Sequence, residues 1–586
     1  MSSIVKTPYS EKVIARLPQH LKRFIVPQNY ELYSAIDQAV WRFVMRKNMS
    51  YLKKIAHKSY IDGLRKAGIG TETIPNIYGM NRILKEIGWA AVAVDGFIPP
   101  NAFMEFQANK ILVIACDIRQ LENIEYTPTP DIIHEASGHA PIIANPDYAE
   151  FLRRLGKIGS KAIMSKHDVD LYEAVRKLSM LKEKAQVDKS TIDEAQKVVN
   201  KLQKQDQGFS EMAKVRNMQW WSVEYGLIGS MSSPKIYGAG LLSSIGESKW
   251  CMGQKVKKLP YSVDVTEVGF DITKPQPQLF VTPNFPYLME VLEEFANTLS
   301  VRKGGCEGLQ KLIASESIGT IELNTGLQIS GVFSDVILNE KKDVIYFKTR
   351  GETALSYRDK ELIGHGVSYH KSGYSSPLGM LKKVSLPLED MTPVDLKAYN
   401  IYDGKLLSFE FESGVKVAGI NITGIRNLSG KIMIIQLREC TVSYKENILF
   451  KPEYGTFDMA IGNDIISAFA GSADPESFIG LYNKTCKKFS ALSEPPFPKA
   501  DLELLAQKIR DLRLSKSYDK KTLVGLFKTL KLKHPNNWIL PLELLELAKN
   551  QDLKVKINKH LQEVGEKNPK LKSLIGDGIS LIKTMN

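Results

Sequence analysis

Residues 127–146 read TPTPDIIHEASGHAPIIANP, with His134 and His139 five positions apart and Glu135 directly after the first. On a straight α-helix, turning about 100° per residue, the second histidine points about 140° away from the first. Both can then reach one ion only if the helix stops between them. The stretch carries signals for such a stop: Thr129 as a cap, Pro130 at the first helical position, Gly138 as a terminator and Pro141 to prevent continuation. His134 is thus expected on the helix and His139 just past its end. The H-E-x-x-H zinc-protease motif needs a gap of four and does not fit. A third ligand of carboxylate type would complete the two-His, one-carboxylate face of non-haem Fe(II) oxygenases. Without one, the histidines cap and fill a helix end, and the spacing alone leaves both readings open.

The 586 residues around this stretch exceed what one core accommodates, so two or three domains are expected. No apolar run reaches the length of a membrane span, and the opening SSIVKTPYSEKV lacks the apolar centre of a signal peptide. Cys116, Cys251, Cys306, Cys440 and Cys486 are scattered, odd in number and never in a C-x-x-C pair, which fits reduced thiols. A cytoplasmic protein with no membrane partner is the expectation. The net charge of +14 is spread over many helical faces without interleaved aromatics, so it reads as solvated surface and not as a nucleic-acid interface.

Residues 1–305 read as mainly α-helical. Ala35, Ala39, Val40, Phe43 and Val44 recur at helical spacing, and Asn76 offers a cap before the next helix. Within this region, 168–203 reads as an inserted pair of antiparallel helices, with Leu171, Val175, Leu178 and Leu181 facing Ile192, Ala195, Val199 and Leu202. Ser190 or Thr191 would cap the second, with Glu194 completing a capping box. From 306 to 454 strand-length alternating runs separated by Gly, Asn and Asp predict an all-β domain, a small barrel or sandwich. From 455 to 586 amphipathic helices return. The insertion and the C-terminal region are where a homo-oligomer contact would form.

Several dispersed motifs, in order over most of residues 25–300, resemble the pterin-dependent aromatic amino acid hydroxylases: the phenylalanine, tyrosine and tryptophan monooxygenases. YTPTPDIIHEASGHAPIIANPDYAEF resembles their iron-site signature, and VAVDGFIPPNAFMEFQANKILVIACDIR their pterin loop and following helix. QWWSVEYGL, IYGAGLLSSIGES and PQPQLFVTPNFPYLMEVLEEFANTL resemble later segments of the same domain. The resemblance implies that His134, His139 and Glu224 hold Fe(II). It implies that Glu135 faces a tetrahydropterin and acts in catalysis, and that Gly96, Ile98 and Phe103 contact the pterin. Arg119 would clamp the substrate carboxylate, held in place by Asp131. Thr127, Pro130, Trp220, Gly240, Ser243 and Ser244 would line the amino acid pocket. O2 would be the co-substrate.

This sequence departs from the family in four places. The helical insertion lengthens the gap between His139 and Glu224, Pro100 replaces a serine that meets the pterin, Gln219 replaces a usual tyrosine, and everything after about 300 has no counterpart. Trp220 stands where phenylalanine and tyrosine hydroxylases carry Trp and tryptophan hydroxylases carry Phe, which speaks against tryptophan; Asp271 or Ile272 falls where tyrosine hydroxylases have an Asp, and phenylalanine, converted to tyrosine, is the first expectation. Two other classes compete. A zinc-type hydrolase at the same ligands would leave Arg119 and the pterin-loop resemblance without a job. A sensing scaffold would bind an amino acid without turnover.

Overall fold

The computed structural model describes residues 8–94, 98–125, 130–183, 188–203, 208–244, 246–272, 274–480, 501–516 and 519–585. The amino-terminal half is built around the helix Ala35–Ile55, which opens with a reciprocal capping box between Ser34 and Asp37. All five apolar residues expected on one face of that helix are buried. The next helix, Ile77–Leu84, follows Asn76, whose side chain accepts from the Tyr78 amide at 2.8 Å.

Two small sheets set the floor of the site. Ala90–Val94 and Ile111–Ala115 pair in parallel and are joined by the helix Pro100–Ala108. Every residue of both strands is buried, as two-sided covering of a parallel pair requires. The second strand points the chain toward Arg119. The other sheet has four strands in the order Ser233–Ile236, Leu227–Ser230, Gln278–Thr282, Lys257–Pro260.

Lys166–Glu183 and Lys189–Gln203 form the expected helical pair, with Leu178, Ala195 and Val199 as its small core. The second helix begins at Lys189, so Ser190 and Thr191 lie inside its first turn rather than at its cap.

The β region extends further than its alternation predicts. After a helix at Gly305–Ser315, strands run from Ile318 to Ala470 in a six-stranded and a five-stranded antiparallel set. Phe457–Ala460 and Ile465–Ala470 lie beyond the expected boundary at 454. Short apolar runs such as FDMA and IISAFA do not declare their type locally; pairing with Ile432–Tyr444 and Ile318–Leu323 makes them strands.

The C-terminal helices, from Asp501 to Met585, are not a separate appendage. Leu505, Phe527, Trp538, Leu542 and Ile582 share one apolar cluster with Trp41, Val44 and Trp221 of the first half. Buried ion pairs lock the junction. Arg42 donates from Nε and Nη2 to Glu543 at 2.9 and 2.8 Å, Arg46 reaches Glu546 at 2.7 Å, and Arg513 grips both glutamates. The polar residues Arg42 and Lys47 sit buried within an apolar-patterned helix because these later helices cover them. Among the described residues no helix is long and apolar enough to cross a membrane, and four of the five cysteines, Cys116, Cys251, Cys306 and Cys440, are free thiols.

Candidate metal centre and substrate clamp

The helix does not stop between the histidines. His134–His139 is a single π-helical turn, followed without a break by Ala140–Ile143. A π turn bonds i to i+5, which places side chains five apart on one face. The widened turn replaces the expected helix end as the device that aims both imidazoles at one point. Gly138 is there for space, not termination: a Cβ would lie 2.6 Å from the Ala239 carbonyl oxygen. Pro141 lies in the first turn of Ala140–Ile143 and does not end the helix. Asp131 caps the start, accepting from the His134 amide at 3.0 Å. Thr129 lies outside the described residues, and Pro130 is exposed.

Glu224 arrives on a second π turn, Trp220–Glu224. Its Oε2 is 3.3 Å from His134 Nε2, its Oε1 is 3.2 Å from His139 Nε2, and the two Nε2 atoms are 3.1 Å apart. Adjacent ligands around one ion with bonds of about 2.0–2.2 Å are spaced in this way. Three donors on one face, two imidazole nitrogens and one carboxylate, suit Fe(II).

The short helix Ala239–Ser243 packs across both turns and organises them. Ser243 Oγ donates to the Ala239 carbonyl at 2.8 Å, so toward His134 Nδ1, 3.1 Å away, it accepts. That fixes the hydrogen of His134 on Nδ1 and turns the Nε2 lone pair toward the centre. The Gly240 amide donates to the Glu224 carboxylate, and a Cβ on Gly240 would come within 3.1 Å of the Glu224 carbonyl oxygen.

The electrostatics follow from burial and company. Burial pushes His134 down to about 4, against the pull of Glu224. For His139 burial works in the same sense, but Glu224 and Glu135 outweigh it and carry it up to about 9. Burial opposes ionisation of Glu224, yet the two imidazoles hold it at about 2. For Glu135 burial outweighs the pull of His139, whose Nε2 is 3.9 Å from its Oε2, and lifts the carboxyl to about 8.

Beside this centre lies a second constellation. Asp131 accepts from Arg119 at three atoms: the amide at 2.9 Å, Nε at 2.8 Å and Nη2 at 2.8 Å. Burial would raise Asp131, but Arg119 keeps it below the usual carboxylate range. Nη1 of Arg119 also points at the Ser243 carbonyl, 3.4 Å away. A guanidinium carries five N–H donors, so one hydrogen on Nη1 and one on Nη2 remain for a carboxylate. Asp131 and Ser243 each touch both Arg119 and His134, which ties the clamp to the metal histidine.

Trp220 stacks between Tyr225 and Phe270, at 4.5 and 4.2 Å between ring centroids, and its buried Nε1–H has no hydrogen-bond partner among the described residues. Ser244 is buried next to Ser243 and accepts from the Glu247 amide at 3.3 Å. Ile98 and Phe103 pack against the parallel strand pair. Gly96 and Thr127 fall outside the described residues.

Residues 26–187 and 202–303 match the family described as biopterin-dependent aromatic amino acid hydroxylase. The matched segments contain His134, His139, Glu224 and Arg119. Most of the second inserted helix falls in the gap of the match. A phenylalanine-4-hydroxylase of Mesorhizobium japonicum is 28% identical to this chain over 274 residues, covering 46% of this chain and 83% of that protein. The Chromobacterium violaceum protein of the same name is 28% identical over 252 residues, covering 43% and 67%. A crystal structure of the latter hydroxylase with bound Fe(III) aligns over 50% of this chain and 92% of its own, at 23% identity and a TM-score of 0.38.

Proposed function

We propose that the chain is an iron- and tetrahydropterin-dependent monooxygenase that hydroxylates the aromatic ring of phenylalanine to give tyrosine, and that it acts in the cytoplasm. The observation that carries the reading is the meeting of His134 Nε2 and His139 Nε2, 3.1 Å apart, with the Glu224 carboxylate, whose two oxygens stand 3.3 and 3.2 Å from them, next to a buried Arg119 with guanidinium hydrogens to spare. The relatives named phenylalanine-4-hydroxylase support the substrate.

His134, His139 and Glu224 would hold the iron. When bound, the ion and the reduced pterin supply activation of O2 and the electrons that ring hydroxylation needs. The chain itself contributes position and charge. Arg119 binds the substrate carboxylate through Nη1 and Nη2, a directional contact that fixes where the ring lies. Trp220 forms an aromatic wall of the pocket, which Pro130, Gly240, Ser243 and Ser244 complete. Glu135, with Ile98 and Phe103, would receive the pterin. Burial lets the Glu135 carboxyl hold a proton near neutral pH and donate or accept at its Oε atoms.

The test is product analysis after incubating purified protein with Fe(II), a tetrahydropterin, O2 and each aromatic amino acid. Tyrosine formed from phenylalanine is the expected result. A hydroxylated tyrosine or tryptophan with no tyrosine from phenylalanine would overturn the substrate. Phenylalanine binding without pterin oxidation would overturn the enzyme.

A further inference from the structure

The β region contains a second place where two histidines five apart meet a carboxylate. We propose that His365, His370 and Asp458 form a structural site for a divalent cation of the zinc class, which fastens the 362–374 loop to the neighbouring sheet.

His365 Nδ1 and His370 Nε2 face each other at 3.3 Å, with the rings nearly parallel and 5.5 Å apart. A carboxylate oxygen of Asp458 joins them, all the donor atoms lying within 4.8 Å of one another. The three residues are 3%, 7% and 4% exposed. Buried charge needs a partner, and among the described residues no Lys or Arg forms an ion pair with Asp458. Its companions are Gln436, which donates to Oδ1 at 2.6 Å, together with Tyr369 and His365. A divalent cation would satisfy the carboxylate and both ring nitrogens at once.

The ligands are also pre-positioned. The carbonyls of His365 and His370 accept from the Leu355 and Thr353 amides at 2.9 and 3.1 Å, which pins the loop to the strand Val344–Tyr357. Asp458 stands on Phe457–Ala460 opposite Gln436 of Ile432–Tyr444, in the other sheet. Tyr374 at the loop's end donates to the Asp458 carbonyl at 2.6 Å. Two nitrogens and one oxygen suit Zn(II), with one position left for water or the Tyr369 phenol. Nothing like the Arg119 clamp adjoins this cluster among the described residues, so the role is structural.

The experiment uses the full chain with His134→Ala and Glu224→Ala, which removes the first centre and makes the result independent of hydroxylation. Cobalt(II) serves as a coloured substitute for zinc. The expected result is one equivalent bound per chain, with the visible bands of a four-coordinate site, and at least about a tenfold weaker affinity after His370→Gln or Asp458→Asn. No binding at micromolar cobalt, or binding unchanged by both substitutions, overturns the site. Zinc should also raise the melting temperature of the otherwise unsubstituted protein and slow proteolysis within 362–374, readouts that need no buried substitution. Neither changing would overturn the fastening role.

Discussion

His134/His139 and His365/His370 share one spacing but use different backbones to make it work. The first pair is aligned by a π-helical turn, so every i→i+5 side chain along it comes to one face. The second is aligned by two carbonyls hydrogen-bonded to a strand, in a loop of tight turns outside any helix. The carboxylates differ as well: Glu224 lies within 3.3 Å of both imidazoles, whereas Asp458 is held by an amide side chain on a neighbouring strand. Only the first pair stands beside an arginine able to take a substrate. A ligand triad is thus common to both, and its surroundings separate a reaction centre from a clasp.

The sharpest way to break this contrast is to remove Glu224. Glu224→Ala should abolish retention of iron at the first centre and lower hydroxylation by at least about a thousandfold, read as metal content and product. Full activity would remove Glu224 from the ligand set. Arg119→Ala should raise KM for phenylalanine by about a hundredfold, the loss of a bidentate charged contact, while iron content changes little. An unchanged KM would sink the clamp. Ser243→Ala removes the acceptor that orients His134 and should weaken iron about tenfold or more. Gly138→Ala probes the π turn itself: its Cβ must push the Ala239 carbonyl away, so iron affinity should fall together with stability, by about 1–3 kcal/mol. An unperturbed variant would show that the contact has slack.

A smaller effect concerns the junction between the two ends of the chain. Burial would raise Glu546, but Arg513 and Arg46 hold it at about 2. A carboxylate lowered on folding stabilises fully above its unfolded value, near 4.5, and the contribution disappears as pH falls from there toward 2. Thermal unfolding should therefore lose about 3 kcal/mol over that window. Glu546→Gln should be less stable at neutral pH and flatter below pH 4.5; an identical acid profile would show that the pair contributes nothing.

Some of this was legible locally and some was not. The apolar face of Ala35–Ile55 and the helix pair at 166–203 could be read because their periodicity is set by neighbours along the chain. The candidate site residues were legible through their resemblance to a family, not through spacing, since spacing on a straight helix puts His139 on the wrong side. The last two strands were misread because a run such as IISAFA carries no helical or strand period of its own, and Ile465–Ala470 takes its form from Ile318–Leu323, far earlier in the chain. Arg42 offered no hint of burial because its partner, Glu543, lies at the other end of the chain. The second histidine pair did show the spacing of the first, but its carboxylate, Asp458, is nearly ninety positions away.

The residue types and their order thus determined by themselves what chemistry is available: two imidazoles, an acid, a clamping arginine and a run of apolar faces. Tertiary structure alone decided the geometry, which rests on the widened turns at His134–His139 and Trp220–Glu224 and on the short helix packed across them. It also placed the last helices over Arg42. The reason is physical: local periodicity records interactions within a few residues, whereas a π turn, a buried ion pair and a shared ligand atom are stabilised by groups that meet only after the chain has folded.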